Sequence, residues 1–121
     1  INAGLVGSEM CIRDSYKNTP KMQVALEKAF FDAATTNRIR LIPAGPAFFY
    51  VNQNFPEINL YTNDNRHPSP AGTYLAALMV FATLTDKSPI GNSYTMGLDE
   101  DAAKTLQEVA WLTHQNFQQK N

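Results

Sequence analysis

The residues whose types and spacing best suit chemistry are Asp64 and His67, in the turn-rich segment 63–72 (NDNRHPSPAG). A carboxylate three residues before an imidazole can fold back to accept a hydrogen bond from Nδ1, which leaves Nε2 free as a general base. An Asp–His pair of this kind activates a serine hydroxyl, because the carboxylate stabilises the imidazolium that forms. The spacing alone equally fits a second interpretation, in which Asp64 caps the next turn and His67 is a surface residue.

The other candidate functional side chains are expected to have structural or solvent-exposed roles. Ser69 is expected to cap the following helix rather than act as a nucleophile. His114 is expected on the solvated side of the last helix, which leaves His67 as the one histidine with a carboxylate placed to serve it. Trp111 is expected to pack in the interior, with a substrate cleft as the alternative. Arg66 is expected to be solvated rather than to contact an acidic substrate group.

Charge and composition narrow the classes of function. Ten Lys and Arg against eleven Asp and Glu give a net charge of −1, so the chain has no basic patch that would favour nucleic acid or an anionic membrane. With 44% hydrophobic and 17% charged residues, 121 residues fit one folded domain. The function classes that charge and composition leave open are chemistry on a small molecule and binding to another protein.

Neither a metal nor a cofactor is indicated. The single cysteine, Cys11, excludes an internal disulfide and a multi-cysteine zinc site, and no second histidine lies near His67 in the sequence. The isolated glycines do not form a phosphate-binding motif. The longest apolar stretch, 74–84, is much shorter than the roughly 20 residues that span a bilayer, so no membrane span is expected.

Helices and one strand are predicted to position the Asp–His loop. Thr19 and Pro20 predict the start of a helix whose apolar stripe ends near residue 37. The β-branched run 38–42 (RIRLI), which stops at a proline, predicts a strand, although no partner strands are visible downstream. A short helix is predicted from Pro46; its aromatic residues, Phe48, Phe49 and Tyr50, are expected to pack in the core rather than line a pocket.

Two further helices are predicted after the loop. The segment 70–84 is apolar on nearly every side, which predicts a buried helix. The last helix opens with acidic residues at 99–101, which suit a helix N-terminus. Its expected buried face consists of Ala103, Leu106, Ala110, Thr113 and Phe117.

Asp64-x-x-His67-Pro68-Ser69-x-x-Gly72, with the Tyr-Leu-Ala that follows, resembles the C-terminal catalytic block of SGNH hydrolases, the GDSL-type esterases and lipases. The segments 41–45, 88–91 and 98–111 resemble the last strand, the exit from the buried helix and the closing helix of that family. Together these matches cover most of residues 19–113. The resemblance implies an α/β fold class, namely the C-terminal fragment of a flavodoxin-like sheet domain with one recognisable strand and three to four helices.

The resemblance also implies a chemistry. In that family a serine in a Gly-Asp-Ser motif attacks an ester carbonyl, with His67 in the position of the general base and Asp64 in that of its orienting carboxylate. No Gly-Asp-Ser occurs in this sequence, so the nucleophile and the oxyanion-hole residues are expected upstream of Tyr16 in a longer protein. The expected substrate is a small-molecule ester, for instance an acylated carbohydrate. The competing hypothesis is a non-catalytic helical interaction module.

The start of the chain has a different character. The run 4–15 (GLVGSEMCIRDS) resembles the translation of a sequencing-adapter read-through and shows no helical or strand period. We therefore expect 1–15 to be non-native or disordered and 16–121 to be the C-terminal part of one hydrolase domain. No signal peptide is recognised. The compartment, with secretion or a periplasmic location open, and the oligomeric state are not determined by the sequence.

Overall fold

The protein is described by a computed structural model over residues 20–38, 40–65 and 67–120. Four helices lie in these ranges: α1 (Pro20–Asn37), α2 (Ala44–Asn54), α3 (Pro70–Thr85) and α4 (Glu100–Lys120). The largest helix interface joins α3 to α4, while α2 packs on both and α1 contacts α2. The expectation of a non-native or disordered segment at 1–15 and the predicted Thr19 cap lie outside the described residues.

The prediction of an α/β, flavodoxin-like fragment is wrong, because the described residues form an all-helical fold without a strand. In the predicted strand 38–42, Arg38 lies in a turn with φ +56°, Ile39 falls outside the described residues, and 40–42 are irregular. An isolated β-branched run has no edge to pair with, so its propensity does not produce a strand. In the described ranges the single β-bridge joins Tyr61 to Pro68.

The core lies where α2, α3 and α4 meet. Phe48 is 1% exposed, as predicted, whereas Phe49 is half-buried and Tyr50 is exposed. The predicted inner face of α4 is confirmed for four of its members, and Phe117 is half-buried. The buried core cluster consists of Ile42, Ala44, Ala47, Phe48, Val51, Leu60, Tyr61, Ala71, Tyr74, Leu75, Leu78, Met79, Ala103, Leu106, Val109 and Ala110.

The α3 helix is buried on one side only. Leu75 and Met79 are fully enclosed, while Phe81 and Leu84 are 40% and 58% exposed. The prediction of burial on nearly every side is therefore wrong for the outer face, since α2 and α4 both pack on the inner one. Among the helices of the described ranges, none combines the length and apolar character needed to cross a bilayer.

Candidate functional site

The loop that carries Asp64 and His67 is closed by two backbone hydrogen bonds. Thr62 N–H donates to the His67 carbonyl at 2.8 Å, and Ser69 N–H donates to the Leu60 carbonyl at 2.8 Å. Inside this closure, Asn65 adopts φ +56°, in the left-handed region that asparagine tolerates better than most residues. The loop is therefore held at its base, and its tip has a residue suited to the required turn.

The base of the loop is fastened to the first turn of α3. The Ser69 hydroxyl donates to the Asn59 carbonyl at 2.7 Å and accepts from Gly72 N–H at 3.2 Å, which confirms its role as the N-cap. At Gly72 the helix passes so close to the loop base that a Cβ atom would lie 2.2 Å from the Leu60 carbonyl oxygen. Only glycine fits this approach, and the loop that carries His67 is thereby fixed to the first turn of α3.

The structure brings Asp64 and His67 together in the predicted arrangement. Oδ2 of Asp64 lies 2.6 Å from Nδ1 of His67. The other carboxylate oxygen, Oδ1, accepts from His67 N–H at 3.1 Å and from the Thr62 hydroxyl at 2.7 Å. Three hydrogen bonds therefore orient one carboxylate toward one imidazole, and the short sequence separation makes this contact local.

The pair lies at the surface, with side-chain exposures of 47% for Asp64 and 66% for His67. Nδ1 is engaged by Asp64, and Nε2 makes no hydrogen bond to any residue in the described ranges. The arrangement can therefore accept a proton at Nε2 and stabilise the resulting imidazolium through Asp64. Water screens the charge interaction at this exposure, so the geometry contributes more than the Coulomb energy.

A second histidine–carboxylate pair exists that the sequence did not indicate. His114 is only 4% exposed, and its Nε2 lies 2.8 Å from Oδ1 of Asp86. The expectation that His114 is solvated, and that His67 alone has a carboxylate to serve it, is therefore wrong. The hydrogen bond from His114 is the largest of the causes that hold the pKa of Asp86 below its ordinary value.

The Asp86–His114 pair could not be predicted from local sequence spacing, because it is formed by long-range packing. Asp86 follows the last residue of α3 with φ +56°, and His114 is 28 residues further along the chain, in the second half of α4. The two side chains meet because α3 and α4 lie against each other. The ring of Trp111, half-buried, lies 5.4 Å from that of His114, which agrees with a packing role.

Neither a substrate contact by Arg66 nor a metal site is seen in the described residues. Arg66 lies outside the described residues. Within the described ranges, no group of three or more His, Cys, Asp or Glu side chains is placed to hold a metal ion.

The Asp64–His67 pair is the arrangement in the described residues that best suits acid–base chemistry. Comparisons of the chain with protein-family models, with curated proteins and with solved structures found no match.

Proposed function

We propose that His67 and Asp64 are the general base and its orienting carboxylate in a carboxylic ester hydrolase that works through an acyl-serine intermediate. The observation that carries the proposal is the 2.6 Å contact between Nδ1 and Oδ2, made by a carboxylate that two further hydrogen bonds hold in place. The resemblance of the block 64–76 to the SGNH hydrolase motif supports the same chemistry. The proposal depends on this pair and not on an α/β fold.

The chemistry assigns one proton path to His67. Nε2 accepts the hydroxyl proton as the serine oxygen attacks the ester carbonyl, and Asp64 stabilises the imidazolium. His67 then returns the proton to the leaving alcohol, which yields the acyl-serine. In the second half, Nε2 takes a proton from water, the hydroxyl attacks the acyl carbon, and the proton passes to the serine oxygen as the acid leaves.

The nucleophile and the oxyanion donors are proposed to lie outside the described residues. Ser69, the hydroxyl nearest to His67 along the chain, is engaged in capping α3. Oxyanion donors and a nucleophile lower most of the barrier in such reactions, so we expect the 121-residue chain alone to hydrolyse no ester at an enzymic rate. The substrate class that the resemblance suggests is a small ester such as an acylated carbohydrate.

The tautomer of His67 gives a test that needs no nucleophile. In the ¹⁵N-labelled chain at a pH where both histidines are neutral, we expect the proton of His67 on Nδ1 and that of His114 on Nε2, because each faces a carboxylate. Asp64→Asn should move the His67 proton toward Nε2 and leave His114 unchanged. A His67 ring that is mainly Nε2–H in the unaltered chain would contradict the proposed orientation.

The catalytic role itself is tested in a longer protein of the kind that the proposal implies, one that also supplies the nucleophile and the oxyanion donors. In that protein His67→Ala should abolish almost all turnover, and Asp64→Asn should cost up to the roughly 10⁴-fold loss in kcat known for the serine-protease triad. The double variant should be little worse than His67→Ala, because triad members act as a unit. A near-normal kcat/KM after His67→Ala would overturn the proposal. Saturable ester turnover by the present chain that is lost in Ser69→Ala would instead contradict the placement of the nucleophile outside the described residues and assign it to Ser69.

A further inference from the structure

A second site lies at the far end of α3 from the Asp–His loop. An open cavity of about 570 Å³ is lined by the second half of α1, by Arg38, Arg40 and Leu41, by the end of α3 and by the second half of α4. This volume falls in the range of small-molecule sites. The sixteen residues of α3 separate the cavity from His67 by about 24 Å along the helix axis, so the two sites are independent.

Charged side chains line one part of this cavity. Arg40 donates from Nη1 to the Thr83 carbonyl at 3.1 Å, and Asp86 is bonded to the buried His114. Arg38 is exposed, and its guanidinium makes no hydrogen bond or ion pair with any residue of the described ranges; its backbone N–H donates to the Thr35 carbonyl. Two guanidinium groups against one carboxylate leave one positive charge when His114 is neutral.

The other part of the cavity is apolar. Phe31 of α1 and Phe117 of α4 contribute aromatic rings, and Leu41 and Leu84 contribute aliphatic side chains. Leu84 is 58% exposed, although it follows directly on the buried end of α3. A ligand with an apolar body would cover this side chain and remove its surface from water.

We propose that this cavity binds a small amphiphilic monoanion, a carboxylate joined to an apolar chain or ring. The guanidinium of Arg38 presents a planar pair of N–H donors that matches the two oxygens of a carboxylate. The single excess positive charge balances a monoanion, whereas a dianionic phosphate would leave one negative charge uncompensated beside Asp86. The apolar wall then accepts the body of the ligand.

The buried His114 lies at the wall of this cavity, within hydrogen-bond distance of Asp86. Its bond to Asp86 holds that carboxylate at the end of α3, on the same cavity wall as Arg40. The carboxylate thereby offsets part of the positive charge and leaves Arg38 as the cation that the ligand engages.

Binding of octanoate to the full chain tests the proposal, with octan-1-ol and acetate as matched probes. Octanoate should bind measurably more tightly than either, because only octanoate has both the charge and the apolar body. Amide chemical shifts should change at 83–86 and 114–118 and not at 64–67. The proposal is overturned if octan-1-ol binds as tightly as octanoate, or if the shifts change elsewhere or not at all.

A pair of charge-removing variants locates the cation. Arg38→Gln should weaken octanoate binding at least about tenfold, the loss expected for one charge-assisted hydrogen bond. Lys104→Gln removes the same charge from an exposed position ten residues before His114, about 15 Å away along α4, and should leave binding nearly unchanged. Equal weakening in both variants would show a general charge effect and contradict the site; far-UV circular dichroism checks that both remain helical.

Discussion

Replacing Gly72 by alanine sets helix propensity against tertiary packing. Gly72 lies in the first turn of α3, where an exposed helical glycine replaced by alanine would gain up to about 1 kcal/mol of stability. In the folded protein, however, the new Cβ would lie 2.2 Å from the Leu60 carbonyl oxygen and 3.1 Å from Cβ of Pro68. The nearer contact is with backbone, so it cannot be relieved by a side-chain rotation.

The structure gives the size of the effect. An ordinary Cβ contact begins at 3.4 Å, so the backbone of Leu60 and that of Gly72 must separate by about 1.2 Å to restore one. A shift of this size disrupts the 2.8 Å bond from Ser69 N–H to the same carbonyl. Overpacking costs about 1–3 kcal/mol and a lost buried hydrogen bond about 1–3 kcal/mol, which exceeds the gain in propensity. We expect Gly72→Ala to destabilise the protein by about 2–4 kcal/mol.

Urea unfolding followed by the fluorescence of Trp111, the single tryptophan, measures this change. Thr73→Ala is the matched control, because Thr73 is the next residue of α3 and is exposed. The control should shift the free energy of unfolding by no more than about 0.5 kcal/mol. A Gly72→Ala variant as stable as the unaltered chain, or more stable, would refute the close approach of α3 to Leu60.

Two further predictions concern the other end of α3. The buried Thr83 hydroxyl oxygen has no hydrogen-bond partner in the described ranges, so Thr83→Val should raise the free energy of unfolding by about 1 kcal/mol in urea titration. A loss of stability there would show that the hydroxyl is bonded. The hydrogen bond of His114 holds the pKa of Asp86 below its ordinary value of 3.8 in the folded state. The ionised Asp86 therefore stabilises the folded protein above pH 3.8, and this stabilisation is lost as the pH falls from 3.8 through the lowered pKa. Asp86→Asn should therefore flatten the acid-side fall in the urea midpoint, and an unchanged slope would contradict the pairing.

Local patterns in the sequence were sufficient to predict several features. Ser69 and Pro70 predict the start of α3 because capping and proline geometry involve only neighbouring residues. The contact between Asp64 and His67 was predictable for the same reason, since three residues separate them within one closed loop. The inner face of α4 followed from its helical period.

Tertiary structure decided the features that need a distant partner. The run 38–42 has strand propensity, but a strand is stabilised by hydrogen bonds to a neighbour, and no strand forms in the described residues. The outer face of α3 has the same apolar composition as its inner face, so only the packing of α2 and α4 determines that Leu84 is exposed while Met79 is buried.

The Asp86–His114 pair and Gly72 also depend on contacts that local sequence patterns do not predict. His114 reads as a polar residue on a polar segment, and only the packing of α4 on α3 buries it beside Asp86. Gly72 reads as a weak helix former, and only the passage of the Leu60 carbonyl beside it makes a side chain impossible there. The sequence by itself determined contacts within a few residues, where backbone geometry limits the alternatives; contacts between elements depend on how whole helix faces pack, and the tertiary structure decided those.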